Sequence, residues 1–187
     1  MRDLVYYVAT SIDGYIAGPA EQFDAFVFEG DHAAPLIERY PDTLPPDLAQ
    51  QLGIDSSAGP FSTVLMGWNT YAVGGQPSPY RHLEQIVFSR TRTATEENLR
   101  TTGSDPRDVV RELKAQPGGD IWLCGGGDLA AQLLDDIDRI VVKRNPVLFR
   151  SGIPLFGSAD YAPLRLDVVE STTFDSGVVV TEYAQAR

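Results

Sequence analysis

Three consecutive glycines, Gly125, Gly126 and Gly127, stand between an apolar run, Ile121-Trp122-Leu123-Cys124, and a stretch with apolar residues at Leu129, Leu133 and Leu134. The run has the length of a buried strand and the stretch the spacing of a helix face. Without Cβ atoms, glycines let a backbone turn sharply and let a ligand come close to the main chain. The free N–H groups at the start of the following helix then favour an anion. A phosphate or pyrophosphate is the guest that Gly125, Gly126, Gly127, Asp128 and Leu129 would suit. The pattern is neither G-x-G-x-x-G nor a Walker A loop, because no Lys-Ser/Thr follows. Taken alone, a tight structural turn accounts for it equally well, and Asp128 suits a helix start while repelling a phosphate aimed straight at it.

Two other strand ends carry compatible chemistry. Met66-Gly67-Trp68-Asn69-Thr70 offers a second helix start and a hydroxyl. Ser89-Arg90-Thr91-Arg92 offers a hydroxyl and two guanidinium groups, apt for the 2′-phosphate and adenine end of a nucleotide. Ligands of open α/β sheets sit beyond the carboxyl ends of strands, so three such ends together point to a dinucleotide with several phosphates. Among the carboxylates, Asp13 in an Asp13-Gly14 turn pair is the candidate for substrate contact or proton relay. Phe23, Phe26 and Phe28 around Asp24 either wall a pocket for a planar ring or fill the core beneath a long connection. Cys124 reads as a small buried residue. His32 and His82 stand alone, without metal-ligand spacing, so no metal is expected.

The elements that would position these groups follow from pattern. Residues 4–9 form an apolar strand of the kind found at the centre of a sheet. Residues 10–17 read as a hairpin about Asp13-Gly14. Helices are expected at about 32–40 and 47–53, strands at 62–67 and 84–89, and a short strand or loop at 101–105. Residues 106–115 make an amphipathic helix with Asp105 as cap and Pro106 at its first position. A fifth strand over 138–148 precedes a loop at 152–157, and residues 164–171 and 177–184 predict a closing antiparallel hairpin. Strands alternating with helices, followed by antiparallel strands, indicate a mixed, mostly parallel α/β sheet with helices on both faces.

The whole chain sets limits on this reading. Its 187 residues suit a single domain, 1–187. With 43% hydrophobic residues and a net charge of −11, it has the composition of a soluble protein that binds neither nucleic acid nor anionic membrane. One cysteine excludes an internal disulfide framework. No signal peptide pattern opens the chain and no apolar run approaches the ~18–20 residues of a membrane span, so a cytoplasmic protein is expected.

In order along the chain, S-I-D-G-Y-I-A-G at 11–18, V-L-M-G-W-N-T-Y at 64–71, I-V-F-S-R at 86–90, I-W-L-C-G-G-G-D-L at 121–129 and N-P-V-L-F-R-S-G-I-P-L-F at 145–156 resemble the dihydrofolate reductase-like superfamily. The resemblance is to its branch similar to the C-terminal reductase domain of bacterial riboflavin biosynthesis, and it runs through nearly the whole chain. It implies a dihydrofolate reductase-like fold, NADPH as cofactor, and hydride transfer to a C=N or C=O of a small heterocyclic substrate, pterin- or pyrimidine-like. By matching position, Ala9, Ile16 and Ala17 would border the nicotinamide. Gly67 and Thr70 would meet the phosphates, Ser89 and Arg90 the 2′-phosphate end, and residues 125–129 the pyrophosphate. A homodimer is likewise implied by resemblance alone. Three positions depart from the pattern. Trp68 stands where an Arg or Lys usually follows Met-Gly, Cys124 where an acidic residue precedes the glycines, and residues 73–77 lack the Asp-x-Pro-Leu stretch. These departures argue against the riboflavin-pathway substrate and leave a second reading, a nucleotide-binding or sensing protein that has lost the chemistry.

Overall fold

Seven residues, Leu4–Thr10, with hardly a polar group among them, can be satisfied only where both faces of a strand are covered. A computed structural model describes residues 1–157 and 159–185 and places this strand, β1, in the interior of a nine-stranded sheet. Its neighbours are β7 (Asp120–Gly125) and β8 (Arg139–Arg144), both parallel to it, with Leu4 opposite Ile121 and Tyr6 opposite Ile140. Beyond β7 follow β3 (Phe61–Gly67), β4 (Glu84–Phe88) and β6 (Leu99–Thr102), all parallel. The two-residue β5 (Thr95–Glu96) closes that edge antiparallel to β6. At the other edge β11 (Val179–Gln185) runs antiparallel to β8 and to β10 (Leu166–Thr173), the expected closing hairpin.

Helices cover both faces. On one side α4 (Pro106–Ala115) and α5 (Gly127–Gln132) press Val109, Val110, Leu113, Leu129 and Ala130 onto Leu4, Tyr6, Leu65, Ile86 and Leu123. The start of α4 is fixed as the sequence predicts: the Asp105 carboxylate accepts the Arg107 N–H at 2.9 Å, and Pro106 opens the first turn. On the opposite side Tyr40, Phe61, Val64, Met66 and Trp122 form a second core, with Leu36 of α1 (Ala33–Arg39) and Tyr71 of α3 (Trp68–Val73) packed against it. A 3-10 turn at Pro41–Thr43 and α2 (Pro46–Gln51) complete this face.

The chain departs from the sequence reading in the connection after β1. Residues Tyr15–Ala17 form a strand, β2, but it does not fold back on β1 as a hairpin. It pairs antiparallel with β9 (Ile153–Pro154) in a separate two-stranded sheet. The reason lies in Asp13, whose oxygens bind backbone N–H groups more than 130 positions away. The strand expected over 138–148 also ends early, at Arg144, because Asn145 turns its amide groups to Thr10 and Lys143. No helix among the described residues is long and apolar enough to cross a membrane.

Candidate active site

Because β1, β3, β4 and β7 are parallel, their carboxyl ends all open on one side of the sheet, and a cleft of about 1630 Å³ runs across them. Ala9, Ile16, Ala17, Gly67, Thr70, Ser89, Arg90, Gly125, Gly126, Gly127, Asp128 and Leu129 all line it. The glycines are there for local reasons. Gly125 has φ +141°, a conformation that side chains rarely adopt, and a Cβ on Gly127 would lie 2.2 Å from the Pro154 carbonyl oxygen. The peptide between Gly125 and Gly126 is cis. Across the turn stands Thr70, whose Oγ1 is 3.4 Å from where a Cβ on Gly126 would be. The cradle is thus bare backbone faced by one hydroxyl. Both helices that start here, α3 and α5, are only six residues long. Their free first-turn N–H groups, and not a long macrodipole, are what this end of the cleft offers an anion.

At the far end, the Ser89 hydroxyl oxygen accepts the Arg92 N–H at 2.9 Å, which curls the loop after β4. Arg90 lines the cleft beside it. The Arg92 guanidinium lies 5.6 Å from the centre of the Trp68 ring, a cation–π distance. A cation is therefore held beside Trp68, the position at which the resemblance implies a basic residue.

The other end of the cleft is apolar. Phe23, Phe26 and Phe28 line it with Tyr7, whereas Val27 turns into the second core. Phe23 and Phe28 meet edge to face at 6.3 Å, and Phe26 stacks on Phe149 at 5.0 Å. The aromatic cluster is therefore both pocket wall and packing. Three polar anchors hold the segment that carries it. Asn145, fully buried, accepts the Val27 N–H at 2.9 Å and donates to the Lys143 carbonyl at 3.1 Å. Buried His32 has one ring nitrogen 3.1 Å from the Val27 carbonyl oxygen and the other 3.0 Å from the Ser176 hydroxyl. Asp31 accepts the N–H groups of Asp175 and Ser176 at 2.7 and 3.0 Å.

Sequence reasoning missed Asn145, Lys143 and Tyr7 as parts of this site. For Lys143 there was a readable signal, the pair of cations Lys143-Arg144 that closes the apolar run Ile140-Val141-Val142. Asp13 does not line the cleft. Its carboxylate accepts from the Ser11 hydroxyl at 2.6 Å and from the N–H groups of Phe149 and Arg150 at 3.1 and 2.7 Å. These bonds, the one from Ser11 foremost, hold it below the usual carboxylate range. Asp13 reaches the site through Phe149, which stacks on Phe26.

Comparison with known sequences bears directly on this geometry. The sequence profile of the RibD C-terminal domain matches residues 2–180. The chain belongs to that family. Among curated relatives, the "uncharacterized protein YyaP" of Bacillus subtilis (strain 168) is 25% identical, over 97% of this chain and 94% of its own. The "uncharacterized protein YwjB" of the same organism is 29% identical, over 83% of each. A putative riboflavin biosynthesis protein from Shewanella sp. PV-4 superposes with a TM-score of 0.73 at 25% identity over the whole of both chains. The same fold recurs in a Thermotoga maritima diaminohydroxyphosphoribosylaminopyrimidine deaminase/5-amino-6-(5-phosphoribosylamino)uracil reductase, with a TM-score of 0.68 at 15% identity, across 99% of this chain and 57% of that one. This is the dihydrofolate reductase-like α/β fold.

Within the RibD C-terminal fold, Cys124 takes the position before the glycines as a half-buried thiol on the cleft wall. Burial pushes it up to about 12, against a hydrogen bond from Tyr80 that pulls it down, so it stays a thiol at neutral pH. Among the described residues, no three His, Cys, Asp or Glu side chains are grouped to hold a metal ion.

Proposed function

We propose that this chain is an NADPH-dependent reductase that passes a hydride to a C=N or C=O of a small pterin- or pyrimidine-like substrate. One observation carries the reading: every residue assigned to the cofactor from sequence lines a single cleft. The fit is chemical as well as spatial. The bare glycine backbone at 125–127 and the Thr70 hydroxyl would hold the pyrophosphate. Ser89 and Arg90, with Arg92 against Trp68, would hold the 2′-phosphate, which favours NADPH over NADH. Ala9, Ile16 and Ala17 are small or apolar and would border the nicotinamide while keeping water from it. NADPH, when bound, supplies the hydride. The aromatic wall would press a planar ring into place, so that most of the catalytic gain comes from holding donor and acceptor together.

The family relationship further suggests a cytoplasmic homodimer. Tyr161, Val168 and Val169, at 95%, 61% and 59% exposure on and before β10, are the apolar groups a second copy would cover. A monomer in sedimentation equilibrium would end that part of the proposal. The loop clasp that occupies Asp13 favours a second reading, a nucleotide sensor without turnover. Titration with NADPH and NADH, followed by quenching of Trp68 and Trp122, tests the main one. Micromolar NADPH binding, tighter than NADH, is expected. Binding of neither would overturn it.

A further inference from the structure

The cations packed against the body of the molecule are, for the most part, accounted for among the described residues. Arg39 and Arg139 share Glu182, and Lys114 lies 2.6 Å from Asp138. Arg2 is buried without an ion pair, but its guanidinium donates to the Gly119 carbonyl and to the Ser62 and Thr63 hydroxyls at 2.6–2.9 Å. Lys143 differs. It is half-buried on β8, and among the described residues no carboxylate lies within 4 Å of its Nζ and no protein acceptor takes its hydrogens. Its nearest aromatic is Phe28, with Nζ 5.8 Å from the ring centre.

Register places this lysine at the reacting end of the cleft. Lys143 is opposite Ala9 on β1 and opposite Val180 on β11, and paired residues on adjacent strands project to the same face. Ala9 and Lys143 both line the cleft, and so do Tyr7, Phe23, Phe26 and Phe28. Other groups that could serve an anion there are already engaged, because both ring nitrogens of His32 have partners. Glu21 and Glu29 also line the cleft and repel anions, yet neither is paired with Lys143. A partly desolvated ammonium without a counter-charge is unfavourable, and burial alone lowers the pKa of this one. An anion arriving with the ligand would remove that cost.

We propose that Lys143 reads a negative charge on the substrate, so that the ligand of this end is a planar aromatic or heteroaromatic ring bearing a carboxylate or an ionised ring oxygen. The ring lies against the phenylalanine wall and its charge meets Nζ. This deepens the proposed function and rests on its assignment of the Ala9 end to the substrate. The charge preference itself needs no cofactor and can be measured without turnover.

The experiment compares two fluorescent probes with the same ring system, anionic 8-anilinonaphthalene-1-sulfonate and neutral N-phenyl-1-naphthylamine, on the full chain and on Lys143→Met and Lys143→Arg. Loss of a charged hydrogen-bond partner predicts that Lys143→Met weakens the sulfonate probe roughly tenfold or more while the neutral probe is unaffected. Lys143→Arg keeps the charge and should keep the preference. Equal changes for both probes in Lys143→Met, or none for either, would overturn the proposal. If Lys143→Met fails to fold, Lys143→Arg decides: loss of the preference despite a retained charge counts against the assignment. NADPH titration of the same proteins separates the two ideas. A charge preference without NADPH binding would sink the reductase reading and leave Lys143 in its role. NADPH binding without a charge preference would do the reverse.

Discussion

Asn145 accepts the backbone N–H of Val27 at 2.9 Å across 118 positions of sequence. That one bond hangs the phenylalanine wall on the end of β8, and the same side chain ties β8 to β1 through the carbonyls of Lys143 and Thr10. Asn145→Ala would take the side-chain partner from the Val27 N–H and the Lys143 carbonyl, while the Thr10 carbonyl keeps the backbone N–H of residue 145 at 2.7 Å. A loss of about 1–3 kcal/mol in urea unfolding is expected, with an unchanged m value. A variant as stable as the wild type would mean that the wall is held elsewhere.

Asp13 tests how directly the loop acts on the chemistry. Asp13→Asn keeps one acceptor but sets an amide donor against a backbone N–H at Phe149 or Arg150. Faster hydrogen exchange at those two amides is expected, with NADPH affinity intact and turnover reduced because Phe149 supports Phe26. If turnover fell while exchange stayed the same, Asp13 would instead contact substrate.

Trp68 and Arg92 make a separable pair. Arg90→Ala and Arg92→Ala should each weaken NADPH roughly tenfold more than NADH, since each removes a cation that would face the 2′-phosphate. Trp68→Leu should act like Arg92→Ala, because the ring is what holds that guanidinium. Equal losses for both cofactors would show that these residues do not read the phosphate.

Asp42 carries the clearest pH signature. Its side chain is fully buried, one oxygen accepts the Phe61 N–H at 2.5 Å, and the other has no partner. Burial raises its pKa from 3.8 to about 6, partly offset by the Phe61 bond. Between those values the folded state binds more protons than the unfolded one, so this group's contribution to stability falls as pH rises through the window. Asp42→Asn should abolish that slope. The variant is expected to gain on the wild type as pH climbs from 4 to 7, when both are unfolded in urea at several pH values. A constant difference across the range would contradict the assignment.

The glycine end of the cleft was legible in sequence because its lining residues are contiguous at strand ends. Glycines 125–127, Met66-Gly67 and Ser89-Arg90 each stand out within a few positions, and all but Met66 line the cleft. The aromatic end was not, because it is assembled from pieces far apart. Phe26 stacks on Phe149, His32 meets Ser176, and Asp31 caps the turn at 175–176, none of which a local pattern can reveal. The hairpin expected around Asp13 failed for the same reason. An Asp-Gly pair specifies a turn, but the partner of the strand that follows it was fixed by residues 153–154. Arg92 was visible as a cation but not as a neighbour of Trp68, since the two are brought together by the curl of the Ser89 loop.

The anchors on residues 20–32 also bear on how this chain emerges from a ribosome. The aromatic segment is made early, but His32 must wait for Ser176, 144 positions later, and β1 has no sheet neighbours until β7 and β8 have been synthesised. A nascent chain therefore carries an apolar central strand and a cluster of phenylalanines with nothing to cover them for most of translation. Holdase chaperones that bind such segments should engage this protein cotranslationally, and truncation before residue 174 should leave the phenylalanine wall unattached at two of its three anchors.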